Sequence, residues 1–240
     1  MHNAPDDPLT IPIPRRRIVL VLSLGVMLLA VAHLLGQYSV FVLDRAELYG
    51  LIDRFHLDGE ANIPAWYAAL LLLACASVFG LVAAVKRTER DPFARHWAGI
   101  ALILLFMCAD EGAQLHELLT RPTRELAGGS GGWLRSYWVV PGALIALVVG
   151  LIYLRFLANL PRPVARRLIA AGTIFLAGAI GLESVGGWYI TNHGAGAGYH
   201  LLAGAEEVLE MSGVILALDT ALACLAAQTP AIRLNLRPEE

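Results

Sequence analysis

Six long apolar stretches, separated by shorter polar segments, make up most of the chain. They run at about 18–42, 63–85, 97–119, 137–157, 168–188 and 200–227. Each is long enough to cross a hydrocarbon layer roughly 30 Å thick as a helix. The pattern predicts an all-α fold, a polytopic membrane bundle of six transmembrane helices. Residues 1–17 and 228–240 are left as polar tails. After the first span, Asp44 and Glu47 have capping-box spacing, and Leu48, Leu51, Ile52 and Phe55 recur on one helical face. A short amphipathic helix is expected there. Gly59 then turns the chain, and Asn62 caps the second span, whose first turn tolerates Pro64. The glycine-rich runs at 128–132 and 194–198 are loops.

Composition sharpens this picture. Charged residues are 16% of the chain, against roughly 25% in soluble domains, so the bilayer is the solvent. Thirteen of the eighteen Lys and Arg fall in the segments shared with the two tails, among them Arg15–Arg17, Lys86, Arg87 and Arg162. The positive-inside rule therefore puts both termini in the cytoplasm, in the inner (plasma) membrane of a bacterium. Trp66, Trp133, Trp138 and Trp188 gather at the opposite boundary. Ala30-Val31-Ala32 resembles a signal-peptide cleavage site, but the apolar run continues past it, as in an uncleaved first span. No basic, aromatic-interleaved stretch points to nucleic acid. Cys75, Cys108 and Cys224 sit in apolar runs without CxxC spacing and are expected as buried thiols. No internal repeat supports an inverted-repeat transporter.

The exceptions to the apolar pattern carry the chemistry. Asp110, Glu111, Gln114, His116 and Glu117 end the third apolar run, Glu183 lies in the fifth, and His200, Glu206, Glu207 and Glu210 lie in the sixth. One acid at a membrane helix centre costs about 2.5–3.5 kcal/mol, and no Lys or Arg lies in those three runs to offset seven carboxylates. Crowded acids need protonation, water with a reachable arginine, or bound cations. Oxygen and imidazole donors without thiolate point to iron, manganese or zinc. The expected ligands are Glu111, His116, Glu117, His200, Glu207 and Glu210. Asp110, Glu183 and Glu206 are expected to orient them or act as general base. The spacings Glu207-x-x-Glu210 and Glu111-x4-His116 do not match the Glu-x-x-His pairs of di-iron bundles.

The favoured function is a metal-binding membrane enzyme acting on a lipid-like or lipid-soluble substrate. A proton- or cation-coupled transporter and a polar layer that only locks helix packing are the alternatives. In each case the two acidic patches are expected to meet, with the third span against the sixth and Glu183 approaching from the fifth. Thr173, Ala177 and Gly181 form a small-residue ladder for close helix approach. His33 is expected as a packing histidine and Asp219 as a lone polar contact. His56, Asp58 and Glu60 belong to a solvated loop, with the mouth of the site as their other possible place.

Three stretches together resemble a family of uncharacterised bacterial multi-pass membrane proteins. They are Phe55 to Tyr67, Ala109-Asp110-Glu111 through His116-Glu117, and Glu206-Glu207-Val208-Leu209-Glu210-Met211. The resemblance runs from the second span to the sixth. It implies no activity, but it draws Asp58, Glu60 and Asn62 towards the site.

Overall fold

The computed structural model describes residues 14–45, 47–128 and 132–228. The predicted tails, apart from Pro14 to Arg17 and Gln228, and residues 129–131 of the glycine loop lie outside that range. Six helices are long and apolar enough to cross a membrane: α1 (Arg15–Phe41), α3 (Ile63–Thr88), α4 (Ala94–Ala113), α6 (Val139–Asn159), the continuous Arg162–His193 span and α9 (Ala197–Gln228). The fifth is one unit of α7 (Arg162–Leu176), a π-helical turn at Ala177–Leu182 and α8 (Glu183–His193). Two short helices, α2 (Leu51–Arg54) and α5 (Glu117–Ala127), lie in the connections. The start of α1, Arg15–Arg17, and Ala226 near the end of α9 line one hollow, which marks the terminal side of the bundle; the opposite end is the chamber side.

Helix α9 is the centre of the bundle. It packs against α1, α3, α7 and α8, while α4 packs on α3. Small residues allow the closest contacts. A Cβ on Gly213 would lie 2.8 Å from the Ala171 carbonyl oxygen and the Phe175 nitrogen, and one on Gly178 would lie 2.8 Å from the Glu206 carbonyl oxygen. The expected Thr173–Ala177–Gly181 ladder is not that contact, since a Cβ on Gly181 would meet only Leu176 of its own helix, at 4.0 Å. Towards the terminal side the interior is filled by aromatic rings. Phe79, Trp97 and Phe156 are no more than 2% exposed, with Trp97 stacked on Phe79 and edge-on to Phe156. All three cysteines are free; Cys75 and Cys224 are buried as expected, whereas Cys108 is only half-buried.

Asp219 is not alone. It is 8% exposed, pairs with Arg15 Nε at 2.7 Å and accepts a hydrogen bond from Arg167. One carboxylate so ties α9 to α1 and α7 at the terminal end.

On the chamber side the first connection differs from its predicted helix. Only Leu51–Arg54 is helical, entered through Gly50 at φ 73°, and the capping-box pair stays outside it. Asn62 behaves as its sequence suggests. Its Oδ1 accepts from Ala65 N–H at 3.0 Å, while its Nδ2 donates to the carbonyls of His56 at 2.7 Å and Asp53 at 3.3 Å. The residue caps α3 and folds the preceding loop back onto it. Asn62→Ala is expected to cost about 1–2 kcal/mol, read as a lower melting temperature. Asn62→Asp, which keeps only the acceptor, should fall between.

Candidate functional site

Helix α4 stops where the hydrophobic pattern does not. Gln114 takes φ 51°, a left-handed conformation costing a non-glycine residue about 1–2 kcal/mol. The reason lies in Asp110. Residues six apart on a continuous helix are about 240° apart around the axis and about 9 Å along it, so Asp110 and His116 would not meet. With the helix broken, Asp110 Oδ1 accepts from the His116 backbone N–H at 2.7 Å, and Oδ2 accepts from ring Nδ1 at 2.9 Å. The imidazole is held in one orientation with Nε2 open, 3.9 Å from Glu117 Oε1. The Asp110 hydrogen bond raises the His116 pKa above its ordinary value. Glu117 thus belongs to α5 and does not share a helical face with Asp110, as an unbroken span would require.

These residues line a cavity of about 350 Å³. Eight of the nine expected site residues are in its wall: Asp110, Glu111, His116, Glu117, Glu183, Glu206, Glu207 and Glu210. Two more carboxylates, Asp58 and Glu60, arrive from the first connection. Their sequence signal was the Phe55–Tyr67 stretch, because isolated loop acids otherwise read as solvated. Apart from Gln114 the remaining wall is apolar, including Leu72, Met107, Trp138, Phe175 and Ile180, and no Lys or Arg among the described residues lines it. The charges of Glu210, Glu111, Asp58 and Glu183 all act on Glu207. The two patches therefore line one chamber, but among the described residues the third span does not pack against the sixth as the sequence suggests: α3 lies against both α4 and α9 and brings their acids to one space.

The π turn shapes one wall. Such turns insert an extra residue into a helix and recur at functional sites. Here Ala179 and Ile180 from the turn, and Glu183 just after it, line the chamber. Gly178 lets α9 approach at Glu206 and Glu210.

His200 is placed elsewhere. His33 Nδ1 accepts from the Leu57 N–H at 3.1 Å, so its Nε2 carries the proton and donates to the His200 carbonyl at 3.1 Å. His56 Nε2 and His200 Nδ1 share a further hydrogen bond of 3.1 Å. This knot joins α1, the 55–62 loop and α9. It makes His33 a fully bonded packing residue, 2% exposed. It also occupies His200, which is not in the chamber wall. Helical spacing alone placed His200 with the acids; the neighbouring histidines, distant in sequence, decide otherwise.

The loop held by this knot carries two opposing titrations. Burial, then the His33 and His200 rings, push the His56 imidazole down to about 4. Burial, then the Glu183 charge, push the Asp58 carboxyl up to about 6, against a hydrogen bond donated by Tyr199 Oη at 3.4 Å. A depressed histidine contributes stability above 6.5 that is lost as pH falls towards about 4. A raised aspartate contributes stability below 3.8 that is lost as pH rises through about 6. The two nearly cancel over the same window. Melting temperatures across that range should therefore fall with acidification in Asp58→Asn and fall with rising pH in His56→Gln.

A family model described as a domain of unknown function, DUF8692, matches residues 19–225. The chain belongs to that family. The matched segment contains every residue of the chamber wall and nearly the whole length of all six spanning helices. No curated protein and no solved structure matches the chain.

Proposed function

We propose that the chamber binds a divalent cation and serves a membrane enzyme acting on a lipid-like substrate from the outer face. The observation that carries this is the charge balance of the wall. It has nine carboxylates and one histidine, with no basic side chain among the described residues. Glu206 is 8% exposed, and the charges of Glu183, Glu210, Glu207 and Asp58 that act on it are all of its own sign. A buried acid without a counter-charge is costly, and a cation supplies what the wall lacks.

Among the described residues, no three of these side chains converge closely enough to hold an ion as they stand. Like charges keep apart until something positive comes between them. Glu111 from α4 with Glu207 and Glu210 from α9 are the best-placed donors, because their charges act on one another. Two or three carboxylates completed by water suit manganese better than zinc, which favours three or four close protein ligands. His116, oriented by Asp110, offers Nε2 either to the ion or to a reacting proton. The apolar half of the wall fits the tail of an amphiphile. The transport alternative needs a route through the terminal half, where Asp219 is held by two arginines.

Metal analysis of the purified protein after mild chelation and add-back tests this reading. About one equivalent of Mn, Fe or Zn per chain is expected. Less than about half an equivalent, not restored by added metal, would overturn it.

A further inference from the structure

Helix α5 is amphipathic, and its apolar side is largely left uncovered by the described residues. Leu118 is 72% exposed and Leu126 90%. With Leu119 and Pro122 they fall within about 100° of helix circumference. On the other side, Glu117, Thr120 and Arg124 line an open hollow of about 700 Å³. The helix starts four residues after the membrane-crossing α4 ends at Ala113, so its first turn lies level with the end of a span. Trp133, 54% exposed and stacked on Trp188, follows shortly after, as is usual at a membrane interface.

We propose that α5 is an interfacial helix, its leucine face docked on the lipid leaflet at the chamber side. The partner is the boundary between phospholipid headgroups and acyl chains, where such a helix buries its apolar side and keeps its charged side in water. Docking there holds Glu117, which lines both hollow and chamber, at the chamber's mouth. An amphiphile leaving the leaflet would meet that mouth first. This last step rests on the proposed function; the docking itself stands without it.

Residues 124 and 126 lie on opposite sides of α5. Spin labels on Leu126→Cys and Arg124→Cys, in full-length protein reconstituted into phosphatidylcholine/phosphatidylglycerol vesicles, separate the possibilities. Unsubstituted protein, carrying only its three native cysteines, gives the labelling background. The label at 126 should collide several-fold more with oxygen than with a water-soluble nickel chelate, and the label at 124 should show the reverse. Nickel-dominated collisions at 126 would overturn the proposal. So would shielding of 126 from both reagents, which would mean that protein covers the leucine face. Neither result depends on whether the chamber holds a cation.

Discussion

In the presence of a chelator at pH 8, the Glu207→Gln/Glu210→Gln double variant is expected to melt at a higher temperature than the unsubstituted protein. Each change keeps the side chain's shape and removes a carboxylate from a wall without basic residues. Relieving uncompensated buried charge is worth about 1–3 kcal/mol. For a chain of this size that is about 2–4 °C per kcal/mol. Added Mn²⁺ should then reverse the order, raising the melting temperature of the unsubstituted protein and leaving the variant unmoved. Stability given up at a binding site is the usual trade. A polar layer that merely locked the helices would give the opposite result, a lower melting temperature in the double variant with or without metal.

The second large effect concerns Gly178. A Cβ there would lie 2.8 Å from the Glu206 carbonyl oxygen and 2.9 Å from Glu210 Cγ. The first of these is backbone and can yield only if α9 moves. Gly178→Ala is expected to cost about 1–3 kcal/mol, and Gly178→Val more. Because the displaced turn carries Glu206, Glu207 and Glu210, Mn²⁺ affinity should fall at least tenfold in molecules that remain folded. Gly181→Ala is the control. Its new methyl group would have 4.0 Å to its nearest neighbour, so stability and affinity should both stay near their original values. Thermal melts and a metal titration on the three variants decide between local and general effects.

The six spans were legible because hydropathy over some twenty residues is a strong signal. Asn62 was legible as a cap because capping is local, whereas its bonds to the His56 and Asp53 carbonyls, which anchor the preceding loop, depend on how that loop folds back. The meeting of the acidic patches was legible from energetics, since isolated acids facing lipid would be too costly. The break at Gln114 was not. Leu115, Leu118 and Leu119 carry the apolar pattern onward, and neither glycine nor proline marks the left-handed residue. The break follows from a side-chain bond, Asp110 to His116, that periodicity does not register. The placement of His200 likewise depends on His33 and His56, residues 167 and 144 positions away. The close contacts at Gly178 and Gly213 follow from the partner helix's register, which a ladder read along one helix cannot supply.

Mn²⁺ titration followed by loss of the free-ion EPR signal tests the central claim most directly. Unsubstituted protein in detergent should take up about one ion per chain with a dissociation constant well below 1 mM. Glu207→Gln/Glu210→Gln should take up none in that range, while Asp219→Asn, altered at the terminal end, should bind normally. No uptake by the unsubstituted protein, or equal uptake by the chamber variant, would contradict a cation-binding chamber between α4 and α9.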